Sequence, residues 1–303
     1  MRIILTVDVE ADTHTTAAGP HTLRNLESLP RFQEVCQKYG FAPTYLVSYE
    51  AICDSATAAR LCEWQRAEVA EVGAHLHPWT TPPASPADER MSFPSELSDH
   101  DLRAKFAMLT ETIAEAVGRK PTSYRSGRWG FDSRQAELLA EHGYTADCSI
   151  TPKVDWRRMG GPDFRRESLF PHRLPSGILE VPMTILCTGI FRKENNAMTQ
   201  LYTRMPDGFF KKICNFFLFR QKWLRIFPST IAYDWERIYR AAKYNDLPVM
   251  MFMIHSTELH LGTSSYTKTE PMVEHMYQRL EELLKYLQNA GVGSSTVSEF
   301  AKV

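Results

Sequence analysis

The sequence is short of net charge. Across 303 residues, 35 Lys and Arg stand against 36 Asp and Glu, for a formal net charge of −1. Nothing in that balance provides a basic footprint, so nucleic acid is not an expected partner. Long apolar runs are lacking too: no stretch reaches the ~18 uninterrupted apolar residues of a membrane span. The six cysteines (Cys36, Cys53, Cys62, Cys148, Cys187, Cys214) include no C-x-x-C pair and no framework spacing. That pattern argues against a zinc ribbon, a thioredoxin-type motif or a disulfide scaffold. There is no Gly-x-x-x-x-Gly-Lys phosphate loop, no His-Glu-x-x-His and no Gly-x-Ser-x-Gly elbow, which removes the common nucleotide, zincin and serine-hydrolase signatures. Internal repeats and low-complexity linkers are absent. No signal-peptide pattern precedes the first apolar run, so the expectation is a cytoplasmic protein with reduced thiols.

What is present reads as a globular α/β chain, 43% hydrophobic and 23% charged, forming one barrel domain over 1–303. Short apolar runs alternate with helical patterns, which predicts a mostly parallel sheet or barrel. Strands are expected near 2–9, 43–48, 70–77, 122–126, 145–149, 178–184, 248–255 and 294–298. Helices are expected near 23–39, 55–66, 99–117, 132–142, 234–244 and 271–290. Ser98 is a predicted N-cap, with Gly118 and Pro121 as stop signals.

The opening run Arg2-Ile3-Ile4-Leu5-Thr6-Val7-Asp8-Val9-Glu10 ends in two carboxylates two residues apart. Side chains alternate on a strand, so Asp8 and Glu10 leave on one face, where their repulsion calls for a proton, a cation or a metal. Val72-Gly73-Ala74-His75-Leu76-His77-Pro78-Trp79 repeats that geometry with two imidazoles, and His at i and i+2 can converge on one ion. Arg125, Asp147 and His255 also fall at the C-terminal ends of expected strands, the rim where active sites of α/β barrels form. The alternative for the acids is salt bridging to Arg125 and Arg128; for His75, a hydrogen-bonded core histidine.

Residues 185–235 break the rhythm. Within 209–227 there are seven aromatics and five bases but no acid. This stretch reads as an aromatic, basic insertion on the barrel, serving as a lid or lying against a membrane interface.

Together these segments resemble the polysaccharide deacetylase superfamily (NodB homology, carbohydrate esterase family 4). Thr6-Val7-Asp8-Val9-Glu10 is similar to its first motif, Gly73-Ala74-His75-Leu76-His77-Pro78 to its second and Tyr124-Arg125-Ser126-Gly127-Arg128-Trp129-Gly130 to its third. Asp147-Cys148-Ser149 is similar to the fourth and Ile254-His255-Ser256 to the fifth. The family's first motif usually carries adjacent aspartates, and its second spaces the histidines by three residues. Here the acids are two apart, and only Leu76 separates the histidines, which alters the bite of the site. The resemblance implies a deformed (β/α) barrel of about seven strands and metal-dependent hydrolysis of an amide, most simply N-deacetylation of a sugar or glycan intermediate. On that reading Glu10, His75 and His77 hold a divalent metal, Zn2+ by ligand type. Asp8 is the base, Arg125 orients it, His255 is the acid and Asp147 tunes the imidazole.

Two alternatives stay open. The contracted His-x-His suits a metal-independent, allantoinase-like ureide hydrolase, and a non-catalytic glycan-binding barrel would keep the same rim. The basic aromatic segment 209–227 extends the substrate expectation to a lipid-linked sugar, with peripheral contact at the inner membrane face.

Overall fold

The structure, a computed structural model, describes residues 1–12, 22–85, 93–194 and 196–303. Its frame is a curled sheet built from β1 (Arg2–Val9), β2 (Pro43–Val47), β3 (Glu71–Leu76), β4 (Ser123–Ser126), β5 (Ala146–Asp147), β6 (His172–Arg173), β7 (Leu179–Glu180), β10 (Val249–His255) and β11 (Gly293–Ser294). A separate pair, β8 (Ile185–Cys187) and β9 (Gln221–Trp223), forms an antiparallel ribbon. The main sheet runs β10-β1-β2-β3-β4-β5-β7-β6, with β11 joining β1. Its ladders are parallel except for β6 against β7.

Strands covered on both faces read as continuous apolar runs. Ile3, Ile4, Leu5 and Val7 of β1 and Met250 through Ile254 of β10 are all buried accordingly. The sheet curls far enough that Thr184, just past β7, meets β10 at the opposite edge. Met251 N donates to Thr184 Oγ1 at 2.8 Å. The result is the deformed α/β barrel expected from the sequence. Among the described residues the sheet counts nine strands; the one without an expected counterpart is β6, a two-residue pairing too short to leave a periodic signal.

Helices pack outside: α1 (Leu29–Lys38), α2 (Tyr49–Ile52), α3 (Ser55–Arg66), α4 (Asp99–Val117), α5 (Ser133–Glu141), α8 (Ala232–Tyr244) and α9 (Glu270–Asn289). α4 begins where its cap predicts: Ser98 Oγ accepts from Asp101 N at 3.1 Å, and Gly118 closes the helix at φ 73. Two expectations fail locally. The strand expected over 178–184 ends at Glu180, and the chain leaves the barrel to begin β8. The strand expected over 294–298 is only Gly293–Ser294. There Thr296 and Glu299 form a capping box that starts α10 (Val297–Ala301).

Between β8 and β9 lie α6 (Ala197–Arg204), α7 (Phe209–Cys214) and a π-helical turn, Asn215–Phe219. Phe219 stacks on Tyr202 with ring centroids 4.1 Å apart, in a small apolar cluster distinct from the barrel core.

Candidate metal and catalytic site

Strand register brings the polar residues to one rim. β1 pairs with β10 so that Asp8 lies opposite His255, and β3 pairs with β4 so that His75 lies opposite Arg125. Curling of the sheet then carries β1 towards β3 and β4 across the barrel. Glu10 Oε2 sits 3.7 Å from His75 Nε2 and 3.4 Å from His77 Nε2. The three side chains are buried and offer one ligand atom each, all within 4.8 Å of one another.

These separations can be tested against a metal. Ligands placed tetrahedrally at about 2.0–2.1 Å from zinc lie about 3.3–3.4 Å from each other. The two Glu10–His distances are at or slightly above that spacing, so the donor set fits a small divalent ion. His75 Nδ1 lies 3.0 Å from the carbonyl oxygen of Arg125. Donation to that carbonyl directs the lone pair of Nε2 at Glu10, the usual way a second neighbour fixes a ligating imidazole. Burial lowers the His75 pKa, but the negative charges of Asp8 and Glu10 outweigh it, and the imidazole is left above its ordinary value. That attraction to a positive charge is what two buried acids beside two histidines would show before a cation arrives.

Each member is held from behind. The Glu10 backbone is clamped by Asn25, whose Nδ2 donates to Glu10 O at 2.7 Å, and by Ser256, whose Oγ accepts from Glu10 N at 3.1 Å. His77 stacks on Trp79 at 4.4 Å between centroids and lies against Gly127, where a Cβ would come within 2.4 Å of His77 Cδ2. The loop after His77 is tied down by Lys105 of α4, which is buried and donates to the carbonyls of Pro78, Thr81 and Pro83.

Asp8 Oδ2 is 4.0 Å from His75 Nε2, while its Oδ1 accepts from Arg125 Nη1 at 2.6 Å. Arg125 is fully buried. It also donates to Cys148 O at 3.0 Å, so the guanidinium is fixed on both sides. On the far side of Glu10, His255 Nε2 is 3.9 Å from Glu10 Oε1. Its side chain is 19% exposed, against 1% for Glu10, which puts the opening of the site at the His255 side.

Asp147 is engaged by its own sheet neighbours. It accepts from Ser149 N at 3.0 Å and Ser149 Oγ at 2.7 Å and pairs in register with Glu180. Burial is the main reason Glu180 rises well above the usual carboxylate range, and the Asp147 charge adds to it. Burial likewise raises Asp147, opposed by hydrogen bonds from Glu180 and Ser149. Burial thus disfavours the charged form of both carboxyls, Glu180 the more strongly. The expected tuning of His255 by Asp147 is replaced by a closer pair. His255 Nδ1 lies 3.1 Å from Glu258 Oε1 and 2.9 Å from Arg225 Nη2, and Arg225 also bonds Glu258. Burial pushes the Glu258 pKa up, but Arg225 and His255 more than reverse it and hold the group below its ordinary value. Arg128, offered as an alternative partner for the acids, lies instead over the Phe93 ring at 4.3 Å.

Asn25, Lys105, Glu180, Arg225 and Glu258 were not singled out in the sequence. Glu258 stands three residues past His255, a spacing that a search for acids near the fifth motif could have found. Arg225 comes from the insertion and carried no such signal.

No family model matches the chain, and no curated protein matches it in sequence. Solved structures do match its fold. A protein from Mycobacterium smegmatis provisionally assigned as a polysaccharide deacetylase aligns over 99% of this chain and 88% of its own, with TM-score 0.59 at 15% identity. A provisionally assigned polysaccharide deacetylase from Pseudomonas aeruginosa PAO1 aligns over 99% and 89%, with TM-score 0.54 at 13% identity. The Puue allantoinase aligns over 99% and 89%, with TM-score 0.53 at 13% identity. At these identities the likeness establishes the architecture, and it is the one that the five sequence motifs implied.

Proposed function

We propose that this protein is a metal-dependent hydrolase of a carbon–nitrogen amide bond, acting as an N-deacetylase on an N-acetylated sugar or glycan intermediate. The observation that carries the reading is the convergence of Glu10 Oε2 with His75 Nε2 and His77 Nε2 at 3.7 and 3.4 Å, beside an aspartate clamped by a buried arginine. Glu10, His75 and His77 are the ligands, and Zn2+ is the ion their chemistry suits best. Such an ion would polarise the acyl oxygen and make the attacking water more acidic.

Asp8 takes the proton of that water. Arg125 keeps Asp8 aimed through a charge-assisted hydrogen bond from Nη1 to Oδ1 at 2.6 Å. His255 delivers a proton to the departing amine, an otherwise poor leaving group. Glu258 and Arg225 set the ring so that Nε2 faces the cleft. Asp147 acts one step further back, with Glu180, by contributing negative charge behind Arg125.

The test is direct. Purified protein should contain about one divalent ion per chain and release acetate from N-acetylated oligosaccharides. EDTA should silence it, and Asp8→Asn should abolish turnover with the ion still bound. A protein that is active without any stoichiometric ion would favour ureide hydrolysis, the reading supported by the contracted His-x-His spacing.

The insertion extends the proposal to a lipid-linked sugar at the inner membrane face. Phe209, Phe210, Phe216 and Phe217 are 81, 70, 68 and 60% exposed, in a stretch, 209–227, that holds five bases and no acid. Side chains of this kind gain roughly 1.5–3 kcal/mol each on full burial, and monomers rarely leave such a cluster open to water. No helix among the described residues is long and apolar enough to cross a membrane, so contact would be peripheral. The six cysteines are unpaired, in keeping with a reducing, cytoplasmic setting.

A further inference from the structure

Beside the exposed phenylalanines the insertion and α8 enclose a cavity of about 360 Å³ whose lining includes Ile190, Arg192, Phe217, Arg220, Arg237 and Arg240. Four arginines come here from three separate pieces of chain. Arg237 and Arg240 are three apart on α8 and so share a helix face. Arg220 takes a left-handed conformation at φ 49 immediately after the π-helical turn, and its Nε donates to Phe216 O at 3.2 Å. Arg192 lies on the segment leading out of β8, over the Tyr244 ring at 5.4 Å.

Acids neutralise only part of this charge. Arg240 pairs with Glu236 at 2.5 Å. Arg237 is 3.9 Å from Asp234, which already binds Lys222 at 3.0 Å. Neither Arg192 nor Arg220 has a carboxylate within ion-pair distance among the described residues. The cavity carries a surplus of positive charge, displayed as guanidinium forks, the geometry that matches phosphate oxygens. Phe217 and Ile190 line the same cavity and are 60 and 72% exposed, so the charged pocket opens into an apolar surface.

We infer that this cavity is a binding site for the phosphate of a lipid, with the phenylalanines entering the acyl layer beside it. A soluble phosphate would explain the arginines but leave the apolar rim without a role. A bare bilayer surface would explain the phenylalanines but not the pocket. The cavity lies within a short length of chain of the barrel mouth: Arg220 precedes β9, and Arg225, five residues on, touches His255. An extended chain of that length spans at most about 17 Å. This inference rests on the membrane-contact reading of the insertion and not on the hydrolytic reading of the barrel.

The experiment is co-sedimentation of the full chain with phosphatidylcholine vesicles containing either phosphatidic acid or oleate at equal surface charge. Wild type should prefer the phosphatidic acid vesicles by about tenfold. Arg237→Gln/Arg240→Gln, with an unchanged melting temperature, should lose that preference, and Lys211→Gln/Lys212→Gln should keep it. Equal binding to both vesicles, or a preference that survives the arginine changes, overturns the site while the membrane reading stands. Failure to sediment with any vesicle overturns both. If inorganic pyrophosphate binds by calorimetry through the same arginines in a chain that ignores vesicles, the ligand is a soluble phosphate and the lipid assignment is wrong.

Discussion

Replacing Gly127 by alanine probes the proposed metal site without substituting any proposed ligand. An added Cβ would stand 2.4 Å from His77 Cδ2 and 2.4 Å from Leu76 O, where ordinary contact begins at 3.4 Å. The imidazole, the end of β3, or both must retreat by about 1 Å (3.4 − 2.4). Metal–ligand distances hold to within about 0.2 Å, so one donor of the three is displaced well outside its tolerance. Disturbing the support of a ligand typically costs about 10–100-fold in metal affinity, or about 1.4–2.7 kcal/mol. Crowding of this kind also costs about 1–3 kcal/mol of stability. The control is Gly143→Ala, at φ +81 with nothing within 4 Å of the new Cβ. It should cost about 1–2 kcal/mol through backbone strain alone and leave zinc affinity untouched. Zinc titration by calorimetry, with thermal melts of both variants with and without zinc, measures the two effects separately. Zinc affinity in Gly127→Ala equal to that of wild type would refute the claim that His77 must hold this position to bind metal.

Saturating zinc at about 100 times its dissociation constant should stabilise the wild-type chain by about 2.7 kcal/mol, read as a rise in melting temperature that Glu10→Gln abolishes. Asp8→Asn leaves the fully buried Arg125 without its counter-charge and should cost about 3 kcal/mol or more, measured by denaturant unfolding; the unaltered stability of an Asp8→Asn chain would mean that Arg125 is compensated elsewhere. Glu258 has a depressed pKa, so its stabilising contribution is complete above the ordinary carboxylate range and is lost as the pH falls through the lower folded value; Glu258→Gln should flatten the stability profile in that acid window and, through His255, lower turnover by about 10–100-fold. Glu180 has a raised pKa, so the sign reverses: its contribution is complete below the ordinary carboxylate range and fades as the pH rises towards the folded value. Glu180→Gln, which removes the charge that burial disfavours and can still accept from Ile150 N, should therefore match or exceed wild-type stability at neutral pH, and a large loss there would refute the raised pKa.

Individual residues explain why parts of the molecule were legible early. β1 and β10 are continuous apolar runs, and Ser98 and Gly118 end α4 with local hydrogen bonds, so neighbours in sequence sufficed. Asp8 with Glu10, and His75 with His77, are i, i+2 pairs whose common face follows from strand alternation. By contrast, the assignment of Asp147 to His255 came from motif order alone, and the neighbours of both groups are fixed by distant chain. Glu258 folds back through a short turn onto the imidazole, Arg225 arrives from the insertion, and Glu180 is supplied by β7. Strand limits near Glu180 and Ser294 were misplaced because an exit into the ribbon and a capping box at Thr296 overrode apolar patterning.

The sequence alone determined that two acids and two imidazoles would each share a face at a strand end, because alternation along a strand is a local property. It also determined that 209–227 would be basic and aromatic. Only the tertiary structure decided that these faces meet. In a flat sheet β1 and β4 would lie about 14 Å apart, too far for Asp8 to hold Arg125 at 2.6 Å. The curl of the sheet closes that gap, and curl depends on how every strand packs against its neighbours.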